Sequence, residues 1–163
     1  MKTHKFILFL DIDGVLNCAN LAIHSTIDPT PNHPDDDFNP DMIARLNRIM
    51  NACPDINIIL ISDWLNGSPW DTVRDHMVRN GFLFGNRVIG QISKTFGSRL
   101  HQITNWLDDN VANDFIILDD QDPGFPTDVK AFDNVKANHW FQTDKKIGLT
   151  DDMANVIIAR CKI

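Results

Sequence analysis

The chain has 163 residues and a net charge of −7, with 43% hydrophobic and 23% charged residues. This length and balance are typical of one compact domain with enough apolar material for a full core. The acidic charge argues against broad, sequence-independent binding to DNA, which requires a basic surface. No segment is apolar enough over a sufficient length to span a bilayer. The three widely spaced cysteines argue against a disulfide framework or a zinc site and favour the reducing cytoplasm.

The first half of the chain alternates apolar runs with amphipathic segments. A continuous apolar run at Lys5–Leu10 is typical of a strand that is buried on both faces. The polar, proline-rich stretch at about 18–38 is expected to form a short flap-like insertion without a core of its own. Asn39 and Pro40 suit the N-cap and the first position of a helix. A second buried strand is predicted at Ile56–Ile61.

The second half continues this alternation. The predicted elements are, in order, a helix at Trp70–Asn80 that ends at Gly81, a short strand around Val88–Ile89, a helix at Ser98–Asn110, strands at Phe115–Leu118 and Ala137–Thr143, and a helix that begins at Thr150. Buried strands that alternate with amphipathic helices indicate βαβ units. We therefore expect an α/β fold with a three-layer, Rossmann-like parallel sheet covered by helices on both faces, in a single domain over residues 1–163.

Polar residues follow the predicted strands. Asp11 and Asp13 follow the first strand, Ser62 follows the second, and Asp119 and Asp120 follow a later one. The carboxyl ends of parallel strands meet at one edge of a sheet, where ligand sites form. Crowded carboxylates repel and raise one another's pKa, and a divalent cation relieves that repulsion. All-oxygen ligands select Mg²⁺, Ca²⁺ or Mn²⁺ rather than zinc, and open coordination positions suit Mg²⁺ in phosphoryl transfer.

The same edge of the sheet offers the groups that phosphoryl transfer requires. An aspartate can attack phosphorus and form an aspartyl-phosphate, which divides one difficult step into two. Gly14 permits a tight turn that brings backbone amides close to a phosphate, and Ser62 can donate a hydrogen bond to it. A cation is also needed to neutralise the transferring group. Lys94 and Arg99 lie just before and at the start of the same predicted helix, and either could reach the site.

The run DIDGVLN at residues 11–17 resembles the first motif of the haloacid dehalogenase-like (HAD) phosphohydrolase superfamily. Ser62, Lys94 and the Asp119-Asp120 pair follow in the order of the second, third and fourth motifs of that superfamily. The resemblance covers nearly the whole chain. It implies a HAD-like fold and a Mg²⁺-dependent phosphatase.

The resemblance also implies a role for each residue. Asp11 would be the nucleophile and a metal ligand. Asp13 would protonate the leaving group and then activate water, with its backbone carbonyl on the metal. Ser62 and Lys94 would hold the phosphoryl group, with Arg99 the rival of Lys94. The Asp119-Asp120 pair would complete the metal site.

A narrower resemblance concerns two further segments. Ser62-Asp63-Trp64 and the helix at Arg99–Leu107 look like parts of a group of small HAD phosphatase domains, some of them attached to nucleic-acid repair proteins. Leu65 stands where such proteins often have an arginine, so a substrate contact by that arginine is not expected here.

Other classes fit the acidic residues less well. A calcium-binding EF-hand that began at Asp11 would need an oxygen ligand and a glycine where Val15 and Leu16 stand. A receiver-type signalling domain has its acidic pair after the first strand, which is the reverse of the order here. A P-loop kinase requires the GxxxxGK[ST] motif, which is absent. A non-catalytic metal- or phosphate-binding module on the same fold stays as the alternative function.

The two insertions are too small for a separate cap domain, so we expect an open active site. Such a site suits a phosphorylated substrate that is a nucleotide, a nucleic-acid end or a phosphoprotein, and it discriminates poorly among small metabolites. The net charge of −7 makes an extended nucleic-acid footprint less favourable than contact with a nucleic-acid terminus only. The sequence indicates neither the oligomeric state nor which of these substrates is used.

Overall fold

The computed structural model describes residues 3–18, 38–63, 69–92, 98–122 and 139–161. Five parallel strands form one sheet in the order β3-β2-β1-β4-β5. The strands are β1 (Thr3–Leu10), β2 (Ile56–Leu60), β3 (Val88–Gln91), β4 (Val111–Asp119) and β5 (Trp140–Gln142). The helices in this part of the chain are α1 (Pro40–Ala52), α2 (Trp70–Arg79), α3 (Arg99–Asp109) and α4 (Asp151–Arg160). The predicted α/β architecture is confirmed.

Side-chain caps determine where three of the helices begin. Asn39, Ser98 and Thr150 each accept a hydrogen bond from a backbone N–H in the first turn of α1, α3 and α4, at 2.8, 3.3 and 3.2 Å. These bonds satisfy amides that have no partner within the helix. Gly81, with a φ of 96°, adopts the left-handed conformation just beyond α2. The predicted helix ends at these positions are therefore confirmed.

Alternate residues of β1 face two separate apolar clusters. Leu8 and Leu10 pack with α1, α2 and α4, whereas Ile7 and Phe9 pack with α3. The indole of Trp106 on α3 meets the ring of Phe9 edge-on at 5.4 Å. Because both faces of the sheet are buried, the central strand reads as a continuous apolar run in the sequence.

Some boundaries differ from the sequence prediction. β4 begins at Val111 rather than at Phe115, because its first residues pair with the start of β1 although they are partly exposed. Val156, on the predicted apolar stripe of α4, is 56% exposed. The predicted flap at 18–38 lies outside the described residues except at its two ends. None of the described helices is both long and apolar enough to cross a membrane.

The strand register places the candidate residues at one edge of the sheet. Leu10 lies opposite both Leu60 and Leu118. Beyond this row, the backbone N–H of Asp11 donates to the carbonyl of Leu118, and that of Ile61 donates to the carbonyl of Leu10, both at 3.0 Å. The residues that follow β1, β2 and β4 therefore meet at the carboxyl ends of the strands.

Candidate active site

The loop after β1 turns sharply at Gly14. This residue has a φ of 70°, and a Cβ atom placed on it would lie 2.6 Å from Oδ2 of Asp120. Both observations require glycine, since other side chains rarely adopt this conformation and would collide with the carboxylate. The glycine thus allows the loop from β1 to pack directly against the residue that follows β4.

Three carboxylates converge at this edge. Asp11, Asp119 and Asp120 each provide an oxygen, and these oxygens lie within 4.8 Å of one another. Asp11 is 2% exposed and Asp119 is fully buried. Asp11 Oδ1 and Asp119 Oδ2 have no hydrogen-bond partner. A hard divalent cation such as Mg²⁺ binds carboxylate oxygens, and it would satisfy buried oxygens that accept no hydrogen bond. The three residues therefore fit such an ion.

Arg99 supplies a positive charge beside this cluster. Its Nη1 lies 3.8 Å from Asp11 Oδ1, and its Nε lies 3.6 Å from Asp119 Oδ2. The side chain is only 12% exposed, and Nη1 has no hydrogen-bond partner. These separations are too long for hydrogen bonds. Arg99 thus neutralises the carboxylates partially while keeping donors that a ligand can use.

The electrostatic environment opposes ionisation of the buried carboxyl groups. Burial, and secondly the charge of Asp119, raise the pKa of Asp11 to about 8, although Arg99, the Ile12 amide and a hydrogen bond from Ser62 act in the opposite direction. Burial likewise raises the pKa of Asp119. A bound cation would favour the charged forms and reverse these shifts.

Asp13 lies on the same loop as Asp11, and after burial and the charge of Asp119 its own charge contributes to the raised pKa of Asp120. The Asp13 side chain is exposed, and Oδ1 accepts a hydrogen bond of 3.0 Å from Nδ2 of Asn17. The catalytic role expected of the Asp13 side chain stays a prediction. The role of the Asp13 backbone carbonyl as a metal ligand stays a prediction.

The other predicted residues fall in two groups. Ser62 is 4% exposed and hydrogen-bonds to Asp11, so it lies within the site. Lys94 lies outside the described residues, and its role stays a prediction. Arg99, the rival cation, lies within the described residues and close to the carboxylates.

Thr143 belongs to the site although the sequence did not suggest it. It follows β5 and is 4% exposed. Its hydroxyl donates to the carbonyl of Gly14 at 2.8 Å, and its backbone N–H donates to the carbonyl of Asp119 at 2.9 Å. It therefore ties the loop after β1 to the end of β4. The available signal was its position as the last residue of a predicted strand.

Comparison with known proteins agrees with this arrangement. Residues 7–154 match the family described as the HAD domain in Swiss Army Knife RNA repair proteins. The chain belongs to this family. Membership supports a phosphatase-like function of the HAD type. No relative was found among the curated proteins.

A solved HAD domain has the same fold. The HAD domain of the effector protein Lem4 from Legionella pneumophila superposes with a TM-score of 0.55 and is 11% identical in sequence. The match covers 98% of this chain and 96% of the Lem4 domain. At this identity the likeness concerns the fold alone.

Proposed function

We propose that this HAD domain is a Mg²⁺-dependent phosphomonoester hydrolase with Asp11 as its nucleophile. The observation that carries the proposal is the position of Asp11. It is a buried carboxylate with one unpartnered oxygen, which lies beside two further carboxylates and a buried arginine. A carboxyl group with a shifted pKa and an oxygen without a hydrogen-bond partner, at the ligand-binding edge of a parallel sheet, is typical of a reactive centre.

In the first step, an oxygen of Asp11 forms a bond to phosphorus while the bond from phosphorus to the leaving oxygen breaks. The carboxyl proton of Asp13 goes to that leaving oxygen. In the second step, Asp13 takes a proton from water as the water oxygen attacks phosphorus. The bond between phosphorus and Asp11 then breaks and releases inorganic phosphate. The exposed position of Asp13 is compatible with both proton transfers, because water reaches it.

Mg²⁺ held by Asp11, Asp119 and Asp120 would supply positive charge that neutralises the phosphate and keeps the carboxylates ionised. Arg99 adds a second cation with unused donors, which suit the oxygens of the transferring group. Ser62 is close enough to Asp11 to donate to the same group. Lys94 stays a candidate for a further phosphate contact, as the resemblance implied.

The substrate is proposed to be a phosphorylated end of RNA. The family to which the chain belongs is described by RNA repair proteins, and a terminal phosphate needs no extended basic surface. This is compatible with the net charge of −7.

The test is release of inorganic phosphate by the purified protein, with Mg²⁺ and with EDTA. The substrates are RNA oligonucleotides with a 3′ or a 5′ phosphate, a phosphopeptide, and small phosphomonoesters. We expect Mg²⁺-dependent release, fastest from one of the RNA ends. Release from no ester would contradict the hydrolase, and retained binding of RNA phosphate without release would favour the non-catalytic module. Faster turnover of a small ester or of the phosphopeptide would overturn the substrate proposal.

A further inference from the structure

Asn17 uses both ends of its side-chain amide within the loop after β1. Its Oδ1 accepts the backbone N–H of Gly14 at 3.1 Å, and its Nδ2 donates to Oδ1 of Asp13 at 3.0 Å. Asn17 is 7% exposed, whereas Asp13 is exposed. The Gly14 amide can only donate, so the carbonyl of Asn17 must face it and the NH₂ group must face Asp13. The loop therefore determines which way the amide points.

We propose that Asn17 is a positioning residue that orients Asp13 for protonation of the leaving group, an inference that rests on the proposed function. A protonated carboxyl group has one oxygen that carries the proton and one that only accepts. Because Nδ2 of Asn17 donates to Oδ1, this bond restrains the orientation of the Asp13 carboxyl group, and we take Oδ2 as the oxygen that passes the proton. In the first step this proton passes to the leaving oxygen as the bond from phosphorus to that oxygen breaks and Asp11 binds phosphorus.

Thr143 offers a matched comparison, because its hydroxyl bonds to the backbone of the same turn rather than to the Asp13 carboxylate. Its hydroxyl donates to the carbonyl of Gly14 at 2.8 Å and it is as well buried as Asn17. Thr143→Val removes this bond at nearly constant volume. Both variants should therefore show the effects of a shifted turn. Only Asn17→Ala should also show the effect of a wrongly oriented Asp13 side chain.

The test compares two esters of similar shape that differ in their need for an acid. Phenyl phosphate releases a basic phenolate, whereas the nitro group of 4-nitrophenyl phosphate stabilises its leaving anion without a proton. The measured quantity is kcat/KM, which includes formation of the aspartyl-phosphate and excludes its later hydrolysis. We expect Asn17→Ala to lower kcat/KM for phenyl phosphate at least about tenfold more than for 4-nitrophenyl phosphate. Asp13→Asn should show the same preference more strongly.

The outcomes separate the inference from the proposed function. Thr143→Val should lower kcat/KM for both esters by the same factor. If Asn17→Ala does so too, in a wild-type background that is active, only the role of Asn17 is overturned. If the wild-type protein with Mg²⁺ hydrolyses neither ester, nor any substrate named above, the proposed function fails and the inference fails with it. If Asn17→Ala does not fold, Asn17→Ser, which keeps a hydroxyl for the Gly14 amide, is judged by the same ratio.

Discussion

The two ends of β4 each carry an aspartate beside an arginine, and the two pairs differ in the hydrogen bonds that join their side chains. At the N-terminal end, Asp114 accepts two hydrogen bonds from Arg160, of 2.7 and 2.9 Å. This is the paired geometry in which guanidinium and carboxylate groups bind most strongly. At the C-terminal end, Arg99 is 3.6 Å from Asp119, and the oxygen that faces it has no hydrogen-bond partner.

Of these two aspartates, the one with the less complete hydrogen bonding is the more deeply buried. Asp114 is 30% exposed, so water solvates it in addition to Arg160, whereas Asp119 is fully buried. A buried polar group without a partner costs about 1–3 kcal/mol of stability. The end of β4 that is shielded from solvent is therefore the less satisfied one. The difference is compatible with a stabilising role for the pair at Asp114 and with the proposed ligand site around Asp119.

The largest expected effect follows replacement of the nucleophile. Asp11→Asn should abolish turnover while the protein stays folded, because an amide is a poor nucleophile and a weaker metal ligand. The loss should amount to many decades in kcat, since uncatalysed hydrolysis of phosphate monoesters is extremely slow. Asp114→Asn, the same substitution at the satisfied end, should keep kcat close to the wild-type value. Phosphate release by Asp11→Asn within about tenfold of wild type would exclude the proposed nucleophile.

A smaller effect is expected from the arginine at the same end. Arg99→Ala should lower kcat/KM about 100-fold, because a preorganised cation beside the transferring group is lost. Arg99→Lys should recover part of this loss through its charge. Steady-state kinetics of Lys94→Ala, measured alongside, test the alternative cation. An active Arg99→Ala together with an inactive Lys94→Ala would assign the phosphate contact to Lys94.

The raised pKa of Asp11 predicts how the metal-free protein responds to pH. Its pKa of about 8 lies above the ordinary value of 3.8, so the folded state binds more protons than the unfolded state between these values. Stability should therefore fall as pH rises through this window, and the melting temperature in EDTA should drop by several degrees from about pH 5 to about pH 8.

Two controls sharpen this pH prediction. Asp11→Asn should flatten the decline, because the replacement does not titrate. Mg²⁺ should raise the melting temperature more at the higher pH, because it binds the ionised carboxylates, with a gain of about 2.7 kcal/mol at a hundredfold excess over Kd. A melting temperature that rises with pH in EDTA would contradict this account of the site. A melting temperature that does not change when Mg²⁺ is added would also contradict it.

The smallest effect should come from the satisfied pair. Arg160→Ala should lower the free energy of unfolding by about 1 kcal/mol, because a partly exposed ion pair contributes little. For a chain of this length that corresponds to a melting temperature about 2–4 °C lower. Phosphatase kinetics should be unchanged. If Arg160→Ala impaired turnover as severely as Arg99→Ala, the two ends of β4 would not have separate roles.

Local patterns determined much of this fold. The apolar run of β1 predicts a central strand because both faces of it are buried, and the caps at Asn39, Ser98 and Thr150 predict helix starts because they satisfy nearby amides. The first four residues of β4 were not predicted. Their side chains are partly exposed, and only pairing with β1 makes them a strand.

For the site, the sequence by itself determined which chemical groups are present and that they follow strands, because alternating βαβ units bring the carboxyl ends of parallel strands to one edge. Only the tertiary structure decided how those groups face one another. The register of β1 against β4 brings Asp11 beside Asp119, and the start of α3 places Arg99 near both. On the same loop, Asp13 accepts a hydrogen bond from Asn17. These distances depend on contacts between residues far apart in the chain, and such contacts leave no periodic pattern in the sequence.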